Sequence, residues 1–283
     1  MRIRNNISSI NATRNQGINQ GNMSKSLEKL STGYKINRAG DDAAGLALSE
    51  GMRRQIYGIN QAMSNVNDGI GLVNTGEGAL TEVHSMLQRL NTLAVQSANG
   101  TYNSTARTNI EAERTELLDE LDRIAASCNF NDIDLFNTGE DSTGPLPPPP
   151  SIHSEIPLQI GCTAEETLTA QRYYMGKDAL QLTDIKFTSV EEANDSIPQI
   201  KRAIEAVSLI RSDFGSVYTH LQHTHNSLSV NHENLQASES AIRDTSMCDE
   251  FTAYTKHNIL LQSAQSMMAQ ANAMSQNVLS LLQ

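Results

Sequence analysis

The sequence has no tryptophan, and aromatic residues make up only 4% of it, so a wide core built on bulky rings is excluded. Its apolar content is Leu, Ile, Val, Met and Ala, which suits narrow seams between helices. No apolar run is long enough to span a membrane. The opening stretch "MRIRNNISSINATRNQG" lacks the hydrophobic segment of a cleaved signal, so ordinary signal-peptide secretion is not expected. Cysteine is scarce: Cys128, Cys162 and Cys248 are odd in number and scattered, which fits neither a disulfide framework nor a zinc site and by itself suits a reducing compartment. Positive charge is also short. A net charge of −11 argues against a nucleic-acid partner, which needs a basic face to displace counterions.

Proline is missing from most of the chain. All seven prolines lie between Pro145 and Pro198. A proline costs ~3 kcal/mol inside a helix, so residues 1–144 and 199–283 are free to be helical. Between them "GPLPPPP" reads as an extended polyproline spacer, followed by "IPLQIG" and "LQLTDIKF", whose alternation reads as strands.

What is present is heptad periodicity. Met52, Ile56, Ile59, Met63, Val66, Ile70, Val73, Leu80 and Leu87 follow steps of four and three, interrupted at Glu77 and His84. "GDDAAG" supplies a capped start at Asp41 or Asp42 and Asn99-Gly100 a stop, predicting one helix of about 55 residues, about 80 Å long. A second helix is predicted over 104–127, with Ile110, Leu117, Leu121 and Ile124 on one side. Downstream, Ile200, Val207, Phe214, Leu221, Leu228, Leu235 and Ile242 recur every seven residues. The companion column is polar (Arg211, Tyr218, His225, His232, Glu239), and Ser196-Ile197-Pro198 reads as the start of this helix. Gly69, Gly71, Gly76 and Gly78 inside the first run are expected to permit close or adjustable helix packing.

The ends are apolar as well. Leu260, Ala264, Met267, Ala271, Met274, Val278 and Leu281 again step by four and three, with Leu282 beyond, and Lys256 is the only charged residue from 251 to 283. Ile3, Ile7 and Ile10, then Met23, Leu27 and Leu30, offer a partial match near the other end, interrupted by Gly17 and Gly21. Up to residue 38, Arg2, Arg4, Arg14, Lys25, Lys29, Lys35 and Arg38 face a single Glu28. Such a helix is marginal alone. The two ends are therefore expected to pair, and further copies of the chain to bury what the pair leaves exposed. The fold expected is mainly α: a long antiparallel helical rod or coiled coil, a short β-hairpin region, and paired N- and C-terminal helices. The expected parts are 1–42 with 250–283, 43–143 with 190–249, and a linker and β segment over 144–189.

No residues suggest catalysis. The carboxylates Glu111, Glu113, Glu116, Asp119, Glu120 and Asp122 read as a solvated helix face, and His220, His223, His225 and His232 as polar helix residues rather than metal ligands. No enzyme activity, metal or cofactor is expected.

"LSTGYKINRAGDDAAGLALSE" at 30–50, "LAVQSANGT" at 93–101 and the closing "AQANAMSQNVLSLLQ" resemble bacterial flagellin, over roughly 1–137 and 198–283, in a short form without outer variable domains. The resemblance implies a structural subunit, exported unfolded through the flagellar type III channel and polymerised at the tip of an extracellular filament for motility. Its partners would be further copies of itself, an export chaperone on about 251–283, and filament cap and junction proteins, with neither membrane nor nucleic acid. The assembly residues would be Ile3, Ile7, Ile10, Leu27, Leu30, Leu260, Met267, Met274, Val278, Leu281 and Leu282. The resemblance also implies a ligand of the flagellin-sensing Toll-like receptor, with Gln88, Arg89, Leu93 and Glu113 at the motif positions. There Arg89 would be an anchor and Leu93 an apolar knob beside it. Asn91-Thr92 replaces the family's basic-acidic pair between them, Ser275 stands at a common proline position, and Gln283 replaces a common final arginine. Alternatives from the sequence are a hook–filament junction protein and a monomeric secreted binding module.

Overall fold

A computed structural model of the chain describes residues 6–137 and 152–280. Its elements in order are α1 (Ile7–Thr32), α2 (Ala43–Ala98), α3 (Ser104–Ser127), β1 (Asn129–Phe130), β2 (Ile133–Asp134), β3 (Phe136–Asn137), β4 (Ile152–Gln159), β5 (Thr167–Tyr174), α4 (Val190–Arg243) and α5 (Met247–Ser280). The fold is mainly helical with a small β region and paired first and last helices, as the periodicity predicts. The residues of the "GPLPPPP" spacer lie outside the described part.

Local chemistry explains several helix ends. The Asp42 carboxylate accepts the Gly45 N–H at 2.9 Å, which starts α2 at Ala43. Asn103 caps α3 through the Ala106 N–H at 2.8 Å. α1 ends where Gly33 takes a left-handed φ of 77° and returns its N–H to the Lys29 carbonyl.

Two expectations are corrected. α4 does not start at Pro198 but at Val190, because Ser189 accepts the Glu192 N–H at 3.2 Å and caps the helix earlier. Pro198 therefore lies inside the helix, a cost of ~3 kcal/mol set against the burial of Ala193, Ser196 and Ile200 around it. Second, "LQLTDIKF" is not a strand. Leu180, Leu182, Ile185 and Phe187 are buried in alternation with exposed residues, but the backbone turns, with Gln181 at φ 53°. Its polar groups are met by local turns and by side chains instead of a ladder: the N–H groups of Leu180, Gln181 and Leu182 reach the carbonyls of Gly176, Asp178 and Lys177, the Ser97 hydroxyl donates to the Phe187 carbonyl at 2.7 Å, and the Glu111 carboxylate accepts the Phe187 N–H at 2.8 Å. Glu111 is thus a structural acceptor, not part of a solvated row. Asp122 is another, accepting the Lys177 N–H at 2.8 Å.

The chain forms two compact units, Met1–Ile56 with Glu233–Gln283, and Tyr57–His232. In the second unit the core runs along α2, α3 and α4 and takes in the irregular segment after β5. The dry column of α4 is buried from Ile200 to Leu221 and only half-buried at Leu228. Glu77, which breaks the α2 seam, receives two bonds from the Arg211 guanidinium of the polar column, at 2.6 and 3.0 Å. Antiparallel β4–β5 forms the hairpin, and β3 joins β5 in parallel through Phe136↔Tyr173. Phe136, Tyr173 and Phe214 cluster with ring centroids 6.1 and 6.4 Å from Phe214. Gly76 lies against them; a Cβ there would meet Phe214 at 2.5 Å. The Tyr173 hydroxyl donates to Asp213 at 2.5 Å, and burial together with that carboxylate raises its pKa well above the ordinary tyrosine value.

Candidate assembly surface

In the first unit α1 and α5 pack along each other. The α1 side of the seam is Asn6, Ser9, Ala12, Gln16, Asn19, Met23 and Ser26, and only Ser26 among them is fully buried. The α5 side is Glu250, Tyr254, His257, Leu261, Ala264, Met268 and Ala271. Asn6 closes one end by donating its side-chain N–H to the Ala271 carbonyl at 2.9 Å, and Lys29 and Glu250 approach to 3.8 Å towards the other. The α1 side of this seam is mostly small and polar, and it meets Tyr254, Leu261 and Met268 from α5.

Many of the large apolar residues face away from it. Ile7, Ile10, Ile18 and Leu27 on α1, and Phe251, Ile259, Leu260, Met267 and Met274 on α5, are exposed, Met267 to 65%. Leu30 is half-buried. Ile3, Leu281 and Leu282 lie outside the described residues, as does the side chain of Val278. The expected stripe thus has the right period and a shifted phase: Ala264 and Ala271 are in the seam, but Leu261 and Met268 occupy it where Leu260 and Met267 were expected. Two tracks one residue apart both step by four and three, and only the partner helix selects between them. Phe251, Ile259 and Ile18 were missed by the sequence reading because they lie off the heptad. The result is an uncovered apolar face on both helices of one pair.

The joint below this pair is tied by Arg243, whose side chain is 12% exposed. It donates to Glu50 at 2.6 Å and its guanidinium lies 4.9 Å over the Tyr34 ring. The backbones of Lys35 and Arg243, and of Thr245 and Gly33, bond at 2.7 and 3.0 Å. The Arg243 hydrogen bond holds the Glu50 carboxyl below the usual glutamate range.

The second candidate surface lies on α2 and α3. Gln88 and Arg89 are exposed, and Arg89 donates Nε–H to the Glu113 carboxylate at 2.7 Å, a bond that raises the guanidinium pKa. Leu93 does not join them. It is 1% exposed and belongs to the core with Leu87, Leu90 and Ala94, so it is not an apolar knob on the surface. A step of four residues turns a helix by about 40° beyond a full circle, enough to carry Leu93 from the Arg89 flank into the seam. Val95, 55% exposed, is the apolar residue that does face outward here, and its departure from the buried phase was its signal.

Among the described residues no helix is long and apolar enough to cross a membrane, and no group of three or more His, Cys, Asp or Glu is placed to hold a metal ion.

Comparison with known proteins agrees with this architecture at both ends. The profile of the bacterial flagellin N-terminal helical region matches residues 3–140, and that of the C-terminal helical region matches residues 197–282. The chain is 42% identical to a flagellin of Halalkalibacterium halodurans and 40% identical to a flagellin of Bacillus subtilis, in each case over 100% of both chains. It is 40% identical to the flagellar filament 30.7 kDa core protein of Treponema maltophilum, again over both whole lengths. A putative flagellar hook-associated protein from Vibrio parahaemolyticus has the same fold, at a TM-score of 0.57 and 12% identity over 72% of this chain and 100% of that one. The chain belongs to the bacterial flagellin family, as a structural subunit of the flagellar filament.

Proposed function

We infer that this chain polymerises through the outer face of the α1–α5 pair, with Ile7, Ile10, Leu27, Leu260, Met267 and Met274 buried by neighbouring copies, and that the resulting filament is extracellular. The observation that carries this reading is the orientation of those side chains away from the seam within a pair that has almost no buried core of its own. Burying a Leu or Ile side chain is worth about 1.5–3 kcal/mol, so their common exposure marks the stabilisation held back for assembly. Ile3, Val278, Leu281 and Leu282 extend the same apolar pattern in sequence. Before export a chaperone covers the apolar segment 251–283, and the chain then travels unfolded through the type III channel. The filament cap and junction proteins then meet the assembled end.

The test is electron microscopy of the purified chain after seeding, beside a variant truncated before residue 251. Filaments from the first and none from the second are expected. A full-length chain that stays monomeric when seeded overturns the assembly reading in favour of a secreted binding module.

A receptor role rests on a smaller surface. Gln88, Arg89 and Glu113, without Leu93, offer a polar contact for the flagellin-sensing Toll-like receptor, with the Arg89–Glu113 pair as its centre. Arg89→Ala is expected to weaken receptor signalling by about tenfold, the cost of one anchoring arginine; unchanged signalling sinks this role.

A further inference from the structure

We propose that Asn99-Gly100 is a self-modifying site, at which the folded chain converts Asn99 to aspartate and isoaspartate faster than the same sequence does unfolded. Asn99 is the only asparagine in the sequence followed by glycine. It stands just past the end of α2, exposed, in the corner that leads to α3. Gly100 is exposed too, with nothing within 4 Å of the place a Cβ would occupy. A neighbouring side chain is what ordinarily keeps a following amide nitrogen away from an asparagine side chain, and none is present here.

Three donors surround the reacting groups. The Thr101 N–H donates to Asn99 Oδ1 at 3.2 Å. Arg107 Nη2 donates to the Asn99 main-chain carbonyl at 3.1 Å, while its Nε holds the Ser97 carbonyl at the same distance. The Tyr102 N–H also reaches the Asn99 carbonyl, at 3.4 Å. The carbonyl carrying the guanidinium is the acyl half of the Gly100 amide. Withdrawing charge from it makes the Gly100 N–H more acidic and its anion more stable. The oxygen facing Thr101 is where negative charge develops when that nitrogen attacks, as in an oxyanion hole.

The reaction balances without any oxidant. Water or hydroxide removes the Gly100 amide proton, and the nitrogen forms a bond to Asn99 Cγ. The tetrahedral oxyanion on Oδ1 collapses, the Cγ–Nδ2 bond breaks, and Nδ2 takes a proton from water and leaves as ammonia. Water then opens the five-membered imide. Addition at Cγ gives aspartate; addition at the main-chain carbonyl carbon gives isoaspartate. The isoaspartate product lengthens the main chain by one methylene between residue 99 and Gly100. That displaces the carbonyl held by Arg107 and Tyr102 and loosens the α2–α3 corner. Either product adds a negative charge, so the converted fraction records the time since the chain folded.

Other asparagines lack this combination. Asn103 has its Oδ1 committed to the Ala106 N–H at 2.8 Å and is followed by serine, and Asn131 is followed by aspartate. The test is peptide mapping of the full-length protein after timed incubation at neutral pH, beside a synthetic peptide spanning 94–107. Mass gain at the 99–100 peptide, ammonia release and enzymatic isoaspartate methylation are the readouts. The folded chain is expected to convert Asn99 about tenfold faster than the peptide, the joint effect of two directed hydrogen bonds. Arg107→Gln should lower the rate towards the peptide's, leaving the Thr101 bond in place, and Gly100→Ala should suppress conversion while circular dichroism shows the helices intact. Conversion no faster in the folded chain than in the peptide overturns the proposal. So does an Arg107→Gln rate equal to that of the natural chain with the helices intact.

Discussion

At the scale of single residues, two glycines of one helix should respond in opposite directions to the same substitution. Gly76→Ala gains up to ~1 kcal/mol of helix propensity but pushes a methyl into Phe214, and overpacking typically costs 1–3 kcal/mol. A net loss of about 1–2 kcal/mol is therefore expected in denaturant unfolding. Gly78→Ala meets open space and should raise stability by about 0.5–1 kcal/mol. If both stabilise, the close approach of Phe214 does not constrain the helix. Glu50 gives a pH signature. Its folded pKa is depressed by Arg243, so the contribution of the pair is present above the ordinary glutamate range and lost as pH falls through the folded value. The stability gap between the natural chain and Glu50→Gln should be open above the ordinary glutamate range and close as the pH falls through the lowered folded value, measured by unfolding of the first unit. A gap independent of pH would assign Glu50 a role other than pairing with Arg243.

At the scale of elements, the proposed assembly face and the pairing seam lie on adjacent positions of one helix: Leu261 lies in the seam and Leu260 faces out. Leu260→Ser should leave the pair's helicity unchanged and raise the concentration needed for filament growth about tenfold, the loss of one buried leucine. Leu261→Ser should instead reduce the helicity of the pair in the monomer. Sedimentation of filaments and circular dichroism of monomers distinguish them, and identical behaviour of the two variants would remove the distinction between the tracks. α4 shows the same division within one helix. Its dry column fills the core, while Arg211 in the wet column meets the one carboxylate that breaks the α2 seam. The apparent flaw at Glu77 is half of an ion pair.

For the whole molecule, the distribution of burial decides which part is durable. Every residue of the contiguous hydrophobic core lies within the second unit, whereas Ile36 is the one buried hydrophobic residue described in the first. A 26-residue helix paired through Ser, Ala, Asn and Gln, with Met23 its one large apolar seam residue, is marginal without further cover. Brief trypsin treatment of monomers should therefore cut first in the terminal helices and the turn after α1, among Arg14, Lys25, Lys29, Lys35 and Lys256, leaving a resistant fragment that contains residues 57–232. First cuts at Arg107, Arg114 or Arg202 would contradict this order of stability. Assembly should protect the same terminal sites.

The sequence by itself determined the helices. Local physics acts over a few residues, and the prolines, the caps at Asp42 and Asn103, the glycine at position 33 and the steps of four and three are all local. The family was legible for the same reason, since its motifs are unbroken stretches. Tertiary structure decided phase and partner. Whether Leu260 or Leu261 enters the seam depends on a helix more than two hundred residues earlier in the chain, and both choices satisfy the same period. Leu93 carries the family motif but takes its place from the core around it. Residues 180–187 alternate like a strand, yet their backbone bonds go to local turns and, at Phe187, to Ser97 and Glu111 rather than to a neighbouring strand. A period is a property of one segment; the side that faces inward is a property of two, and it is fixed only when the second segment is in place.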